Sequence, residues 1–322
     1  MPLYKKISKN IQEITIDGQN DKKIRWINIT NPGKEELEYL MRFKEYKFDF
    51  KQLRASSAKI MSERPIIEQK DGYCFIILQF PIFNGNEIVA SEIDFFIGHG
   101  LLITLHNGNI KVLEEFFNTC RKGDNSTLTK DFPSSAILLY EIINKLIYYC
   151  YEIMDQNNSK ISNVEKFIFS SEQKKAVSKI LELRQNIINI RRILVNHKNI
   201  LKKMMEMKSS LIPTSKIKDC YYELIEHTKR IWEFSESQRE AIEALNSTNE
   251  SLMNDQTNNI MRTLTIFSVI VLPLNLIAGI FGMNTVDGMP FINNPYGFSV
   301  VISIMTIGCL SMIIFFIKKK WL

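Results

Sequence analysis

Polar side chains set among uncharged residues are where this sequence could do chemistry. The run TLTIFSVIVLPLNLIAGIFGM (263–283) carries no charge. A three-four spacing through it and the residues just before it nevertheless collects Asn258, Met261, Thr265, Ser268, Leu272, Asn275 and Gly279 on one helical face, with Leu264 beside them. Gly282, Met283 and Asn284 close the run. Carboxamides and hydroxyls are neutral hydrogen-bonding groups that can hold a neighbouring helix or solvate water and hydrated ions. Asn275 lies in the middle of the run, where an unsatisfied amide in hydrocarbon is expensive. It either bonds an adjacent helix or faces water. The small residues on its face, and an asparagine at each end, favour a water-filled pathway lined by several copies of the helix. Pro273 adds to this, because it leaves the Val269 carbonyl without its helical partner, which is tolerable only away from lipid.

Such a face needs elements to hold it. No charged residue occurs over 263–286 or over 288–317, and the second run, FSVVISIMTIGCLSMIIFFI, occupies 298–317. Each exceeds the roughly 20 apolar residues that cross a bilayer, so two membrane helices are expected. Arg262 precedes the first, and Lys318, Lys319 and Lys320 follow the second. The connection NTVDGMPFINNPYG has no Lys or Arg and one acid, Asp287. Positive flanks stay inside, so both ends are expected in the cytoplasm, the connection outside, and the protein in the plasma membrane. Tyr296 and Trp321 suit the two interfacial belts. The N-terminal MPLYKKISKNIQEI lacks an apolar segment, so no cleaved signal is expected.

Upstream, residues 1–130 read as a cytoplasmic α/β domain. Strands are expected over 22–30, 72–83, 87–98 and 101–106, and a helix within 31–46. Residues 131–210 read as helical arms, one over AILLYEIINKLIYYCYEIMDQNNSKISNVEKFIF and a second, unbroken, over 174–207. After Pro213, neither Pro nor Gly intervenes until Pro273. A stripe of Ile217, Tyr221, Leu224, Thr228, Ile231, Ser235, Gln238, Ile242, Leu245, Asn249 and Leu252 runs toward the membrane. The spacing predicts a single helix of more than sixty residues, on the order of 90–100 Å long, with 211–262 as its cytoplasmic stalk and 263–283 as its first span. Residues 284–297 are then the external loop, 298–317 the second span and 318–322 a basic tail. The fold class is an α+β cytoplasmic domain with a long helical stalk and two C-terminal transmembrane helices.

Composition narrows function. The 322-residue chain has a net charge of +6, too mild and scattered to indicate a nucleic-acid partner. Its five cysteines are widely spaced without a CxxC pair, which predicts free thiols. His99, His106, His197 and His227 lack HxH or Cys–His spacing and read as ordinary surface or core residues. No GxSxG, HExxH, P-loop or dinucleotide fingerprint occurs, so no catalytic residue is expected and the chain does not read as an enzyme.

A long helix entering a span that ends in Gly-Met-Asn, a short loop, a second span and a lysine cluster together resemble the CorA-type divalent-cation transporters. MRTLTIFSVIVLPLNLIAGIFGMN (261–284) is similar to the family pattern almost throughout, with Phe281 in place of the usual Tyr. IKKKWL (317–322), CYYELIEHTKRI (220–231) and ERPIIEQKDGYCFIIL (63–78) also resemble family segments. The resemblance implies a homopentameric funnel with two antiparallel arm helices and five stalk helices around one pore. It implies an outer selectivity filter of Gly282, Met283 and Asn284, apolar constrictions at Met261 and Leu272, and Asn258 at the cytoplasmic entrance. The Asn284 amides would accept hydrogen bonds from the water shell of Mg2+, which dehydrates reluctantly. Co2+ and Ni2+ are further candidate cargo.

Departures from the family pattern open other readings. The external loop offers only Asp287 where relatives are more acidic. Glu223 falls where the resemblance implies a stalk acid for regulatory Mg2+, and Asp71 lies near the place of its partner. A second function the resemblance allows is a membrane effector gated by a nucleotide messenger, as in CorA-like proteins of type III CRISPR systems. ZntB-like zinc transport is a third, disfavoured by the retained Met283.

Overall fold

The computed structural model describes residues 2–17, 23–57, 65–122, 134–170, 173–206, 215–283, 290–291 and 294–321. The chain divides into two compact units, Met1–Asn246 and Ser247–Leu322.

The first unit is built on a seven-stranded sheet ordered β1-β2-β3-β7-β6-β5-β4. Its strands are β1 (Leu3–Lys6), β2 (Ile11–Asp17), β3 (Lys23–Thr30), β4 (Ile67–Lys70), β5 (Tyr73–Asn84), β6 (Glu87–Gly98) and β7 (Leu101–His106). Every neighbouring pair is antiparallel except β3 with β7, where Arg25 pairs with Leu101 and Thr30 with His106. The four strands expected from the sequence are β3, β5, β6 and β7. The long apolar run of β5 follows from burial on both faces, which removes the polar alternation of a half-exposed strand. Gly85, at φ +63, lets β5 turn into β6 through a two-residue loop.

Alternate residues feed two cores. Trp26, Ile76, Phe95 and Ile97 face one side, where they pack with residues of α3 (Lys111–Lys122), α4 (Ser135–Ile168), α6 (His197–Glu206) and α7 (Ser215–Phe281). Ile27, Phe75, Ile77 and Phe96 face the other, against α1 (Lys34–Met41) and α2 (Phe50–Ala55). The second arm is not one helix as expected. It divides into α5 (Gln173–Leu194) and α6, with a turn at Val195 and Asn196. That turn directs Ile200, Leu201 and Met204 into the first core, a gain that outweighs two lost helical residues. On α5, Asn186 Oδ1 accepts from the Ile88 amide at 2.9 Å, and Asn189 Nδ2 donates to the Ile88 carbonyl at 2.9 Å. These amides stand in for a strand partner at the β5–β6 hairpin.

The expected long helix is present as α7, 67 residues with Pro273 inside it. Much of its stripe is buried where the sequence placed it: Tyr221, Leu224, Ile231, Ser235, Gln238 and Ile242 are each at most 2 % exposed, while Thr228, Leu245 and Leu252 are partly buried. Two polar members of the stripe, Tyr221 and Gln238, bond α4. Tyr221 Oη donates to the Ala136 carbonyl (3.1 Å), Gln238 Nε2 to the Met154 carbonyl (2.8 Å) and Asn157 Nδ2 to Gln238 Oε1 (3.1 Å).

Two buried histidines make this unit acid-sensitive. His106 accepts from the Gly108 amide at Nδ1 (3.0 Å) and faces Asn28 Oδ1 through Nε2 (3.1 Å). His197 is fully buried against Phe80. Burial holds both down to about 4 from 6.5, in His197 against the smaller opposing effect of the nearby Leu194 backbone carbonyl. The unfolded chain therefore binds protons first as pH falls. The stabilisation is complete above about 6.5 and is lost between there and about 4. Each histidine accounts for up to roughly 3 kcal/mol at about 1.36 kcal/mol per unit. The melting temperature, followed by circular dichroism, is expected to drop steeply from pH 6.5 to 4.5. A level profile there would contradict the burial argument.

The second unit holds the remainder of α7 and α8 (Gly297–Lys318), both long and apolar enough to cross a membrane. The side chains they shelter are Ile266 on α7, at 8 % exposure, and Phe316 on α8, at 5 %. Partly sheltered Ile270, Leu274, Ile277 and Phe281 continue the α7 stripe, and Val301, Met305 and Met312 that of α8.

Candidate ion pathway

Successive residues of a helix are rotated by about 100°. On that basis Met261, Thr265, Leu272, Asn275 and Gly279 lie on the side of α7 roughly opposite Ile266, Ile270 and Ile277. The face singled out from the sequence thus lies within the exposed part of α7. Asn258, Met261, Leu264, Thr265, Leu272, Asn275 and Gly279 are all exposed and Ser268 is partly so. Thr265 Oγ1 donates back to the Met261 carbonyl at 2.8 Å, leaving its oxygen lone pairs directed outward as acceptors. Asn275 falls two residues after Pro273, which withholds the amide that would bond Val269. One face therefore carries the Thr265 hydroxyl between two large apolar side chains, Met261 and Leu272, with the Asn275 amide beyond them. Such a face can accept hydrogen bonds from water at some levels and exclude water at others.

The C-terminal end of α7 tightens as it stops. The Gly282 amide donates to the Ala278 carbonyl (2.9 Å) and that of Met283 to Ile280 (3.3 Å), a last turn of 3₁₀ type. Asn284 and Asp287 lie outside the described residues. Before α8, the Asn294 amide donates to Phe291 (3.2 Å), Gly297 to Asn294 (2.9 Å), and Tyr296 to the Asn294 side chain (3.0 Å). Gly282, Pro290, Phe291 and Asn294 line, with Phe281 and Phe298, one apolar groove of about 430 Å³.

At the other end of α8 the three lysines are shaped by a helix stop. Lys320, at φ 55, takes the left-handed position usual for glycine. The Trp321 amide donates to Phe316 (2.9 Å) and that of Lys320 to Ile317 (2.9 Å), with the Trp321 and Phe316 rings stacked at 5.9 Å. This Schellman arrangement places Lys318, Lys319 and Lys320 at the negative end of the helix dipole, where cations are favoured.

Glu223 and Asp71 are not joined in one metal cluster. Among the described residues no group of three or more His, Cys, Asp or Glu side chains is placed to hold an ion. Asp71 is exposed in the β4–β5 turn. Glu223 lies on α7, where Tyr140 Oη donates to its Oε2 at 3.0 Å. That carboxylate, with burial as the larger cause, pushes the Tyr140 phenol well above its usual range. The structure also places His227 beside Glu223, with Nε2 3.8 Å from Oε1. Read by HxH and Cys–His spacing, His227 looked isolated. The signal that finds it is the i,i+4 spacing on a helix, which brings two side chains onto one face.

Comparison with known proteins follows the same outline. A family model described as CorA-like Mg2+ transporter protein matches residues 21–320. The cobalt/magnesium transport protein CorA of Thermotoga maritima is 24 % identical over 299 residues, covering 92 % of this chain and 83 % of that protein. Its namesake from Methanocaldococcus jannaschii is 23 % identical, covering 98 % and 96 %. The solved structure of the complete CorA magnesium transporter from M. jannaschii superposes with a TM-score of 0.85 at 21 % identity, over 98 % of this chain and all of that one.

Proposed function

We infer the function from a premise now in hand, that this chain belongs to the CorA-like Mg2+ transporter family, a family of ion transporters and not of enzymes. The protein passes hydrated Mg2+ across the plasma membrane through a central pore in a homopentamer. The observation that carries this reading is the mixed polar and apolar face on the exposed part of α7. Five copies of that face around one axis supply a pathway with Asn258 at the cytoplasmic entrance. Met261 and Leu272 form constrictions that close by expelling water, and Asn275 gives a polar station between the Leu272 constriction and the outer end. Gly282, Met283 and Asn284 form the outer filter. Its amide oxygens accept hydrogen bonds from the water shell of the ion, so the ion need not be stripped. Asp287 alone in the outer loop supplies weak attraction. Lys318, Lys319 and Lys320 hold the termini on the cytoplasmic side. Co2+, named with Mg2+ for the T. maritima relative, is a second cargo of similar hydration.

In this reading Glu223 and Asp71 of neighbouring copies take up cytoplasmic Mg2+ and favour closure. No ATP site is required, because a dication gains about 4.6 kcal/mol per 100 mV, twice the value for a single charge. Purified protein in liposomes with an Mg2+-sensitive dye inside is expected to admit Mg2+ when a K+ gradient sets the interior negative. At 100 mV the accumulation at equilibrium is on the order of a thousandfold. Flux that ignores the sign of the potential would overturn the reading.

A further inference from the structure

We propose that Glu223 and His227 form, on a single α7 helix, a two-point site for a nitrogen-seeking dication of the Co2+, Ni2+ or Zn2+ class. The proposal deepens the regulatory reading of Glu223 and rests on it only for any effect on flux; the binding itself stands on the geometry that follows.

Tyr151 sets the histidine. Its phenol donates to the His227 carbonyl at 3.2 Å, and the same oxygen lies 3.3 Å from Nδ1. A phenol has one proton to give. In the tautomer with that proton on the carbonyl, Nδ1 carries the ring hydrogen and bonds the phenol oxygen. Nε2 then presents a lone pair toward Glu223. Tyr148 and Tyr151 flank the ring at 5.2 Å and 5.9 Å between centroids and limit its rotation. The carboxylate is held from its other side, because Tyr140 Oη occupies Oε2 at 3.0 Å. Oε1 is left facing Nε2.

Two acceptors thus confront one another across 3.8 Å, too far for a hydrogen bond. A cation bound to both at about 2.0–2.2 Å sits naturally in such a gap after a small side-chain rotation. The histidine is 12 % exposed at its side chain and the glutamate 56 %, so one ligand is pre-set and the other is open to water that completes the shell. An imidazole donor suits Co2+, Ni2+ and Zn2+, whereas Mg2+ favours an all-oxygen shell. The tyrosine on Nδ1 plays the orienting part that carboxylates and carbonyls play behind metal-bound histidines.

The test uses the full chain in detergent, titrated with CoCl2 alone by calorimetry and by the visible Co2+ spectrum. The Asn284→Ala background removes the filter as a competing site. His227→Gln and Glu223→Gln are each expected to weaken Co2+ binding at least tenfold and to remove the nitrogen-ligand component of the spectrum. Tyr151→Phe, which keeps both ligands, is expected to weaken it several-fold. Equimolar Mg2+ should not displace the Co2+. Unchanged Co2+ binding in His227→Gln, or displacement by equimolar Mg2+, would overturn the site. An unchanged spectrum in Tyr151→Phe would overturn the role given to the tyrosine. Should the wild type carry no Mg2+ flux yet bind Co2+ through His227, the transport reading fails and this site stands.

Discussion

Asn284→Ala is expected to cut Mg2+ flux into liposomes at least a hundredfold while the oligomer still assembles. The substitution removes the amide oxygen but leaves α7 and α8 intact. In the proposed ring of five, each amide lost withdraws a hydrogen bond to water polarised by a dication, a charge-assisted contact worth more than a neutral one. Even about 0.6 kcal/mol per copy sums to about 3 kcal/mol, which is a hundredfold in rate. The proposed filter lies on the only route across, so no parallel path makes up the loss. Dye-reported flux, with size-exclusion to confirm assembly, decides the matter. Flux within twofold of wild type would remove Asn284 from the filter and return it to a helix-ending residue at the interface.

Gly297→Ala should be nearly as damaging, for a reason found only in the structure. Phe291 sits at φ 75, and its carbonyl turns in toward the start of α8, where it accepts from Asn294 at 3.2 Å. A β-carbon at Gly297 would collide with that carbonyl oxygen. Backbone, not a flexible side-chain end, must then move, and overpacking of this kind costs about 1–3 kcal/mol. The turn affected belongs to the connection that carries Asn284, so a misplaced turn disturbs the proposed filter in every copy. Flux is expected to fall at least tenfold and the thermal midpoint with it. Gly308→Ala on the same helix meets nothing within 4 Å and serves as the control. Equal behaviour of the two variants would show that the Phe291 turn does not govern the loop.

Legibility differed from element to element for identifiable reasons. β5 and β7 were plain in the sequence because strands buried on both faces read as long apolar runs, and β6, despite Glu87, Glu92 and Asp94, by its β-branched and aromatic residues. β1 and β2 were missed. LYKK and IQEITID lie at one side of the sheet, mix charge with apolar residues and carry too little apolar length to stand out. The division of the second arm at Val195 was equally hidden, since no Pro or Gly marks it. Only the need to bury Met204 and its neighbours explains the turn.

What the sequence determined by itself is whatever a local period can express. The stretch from Ser215 to Pro273, free of helix breakers, gave most of the 67-residue α7, with its buried stripe and its mixed face toward the end. Two uncharged runs gave the apolar helices, and the Gly-Met-Asn segment carried the family likeness. Tertiary structure decided which distant side chains meet. His106 found Asn28, Gln238 found Asn157, and His227 was set between Glu223 and Tyr151. Those pairings depend on how α4, α7 and the sheet pack. A hydrogen-bond partner is chosen by position in space, and no repeat along the chain encodes it.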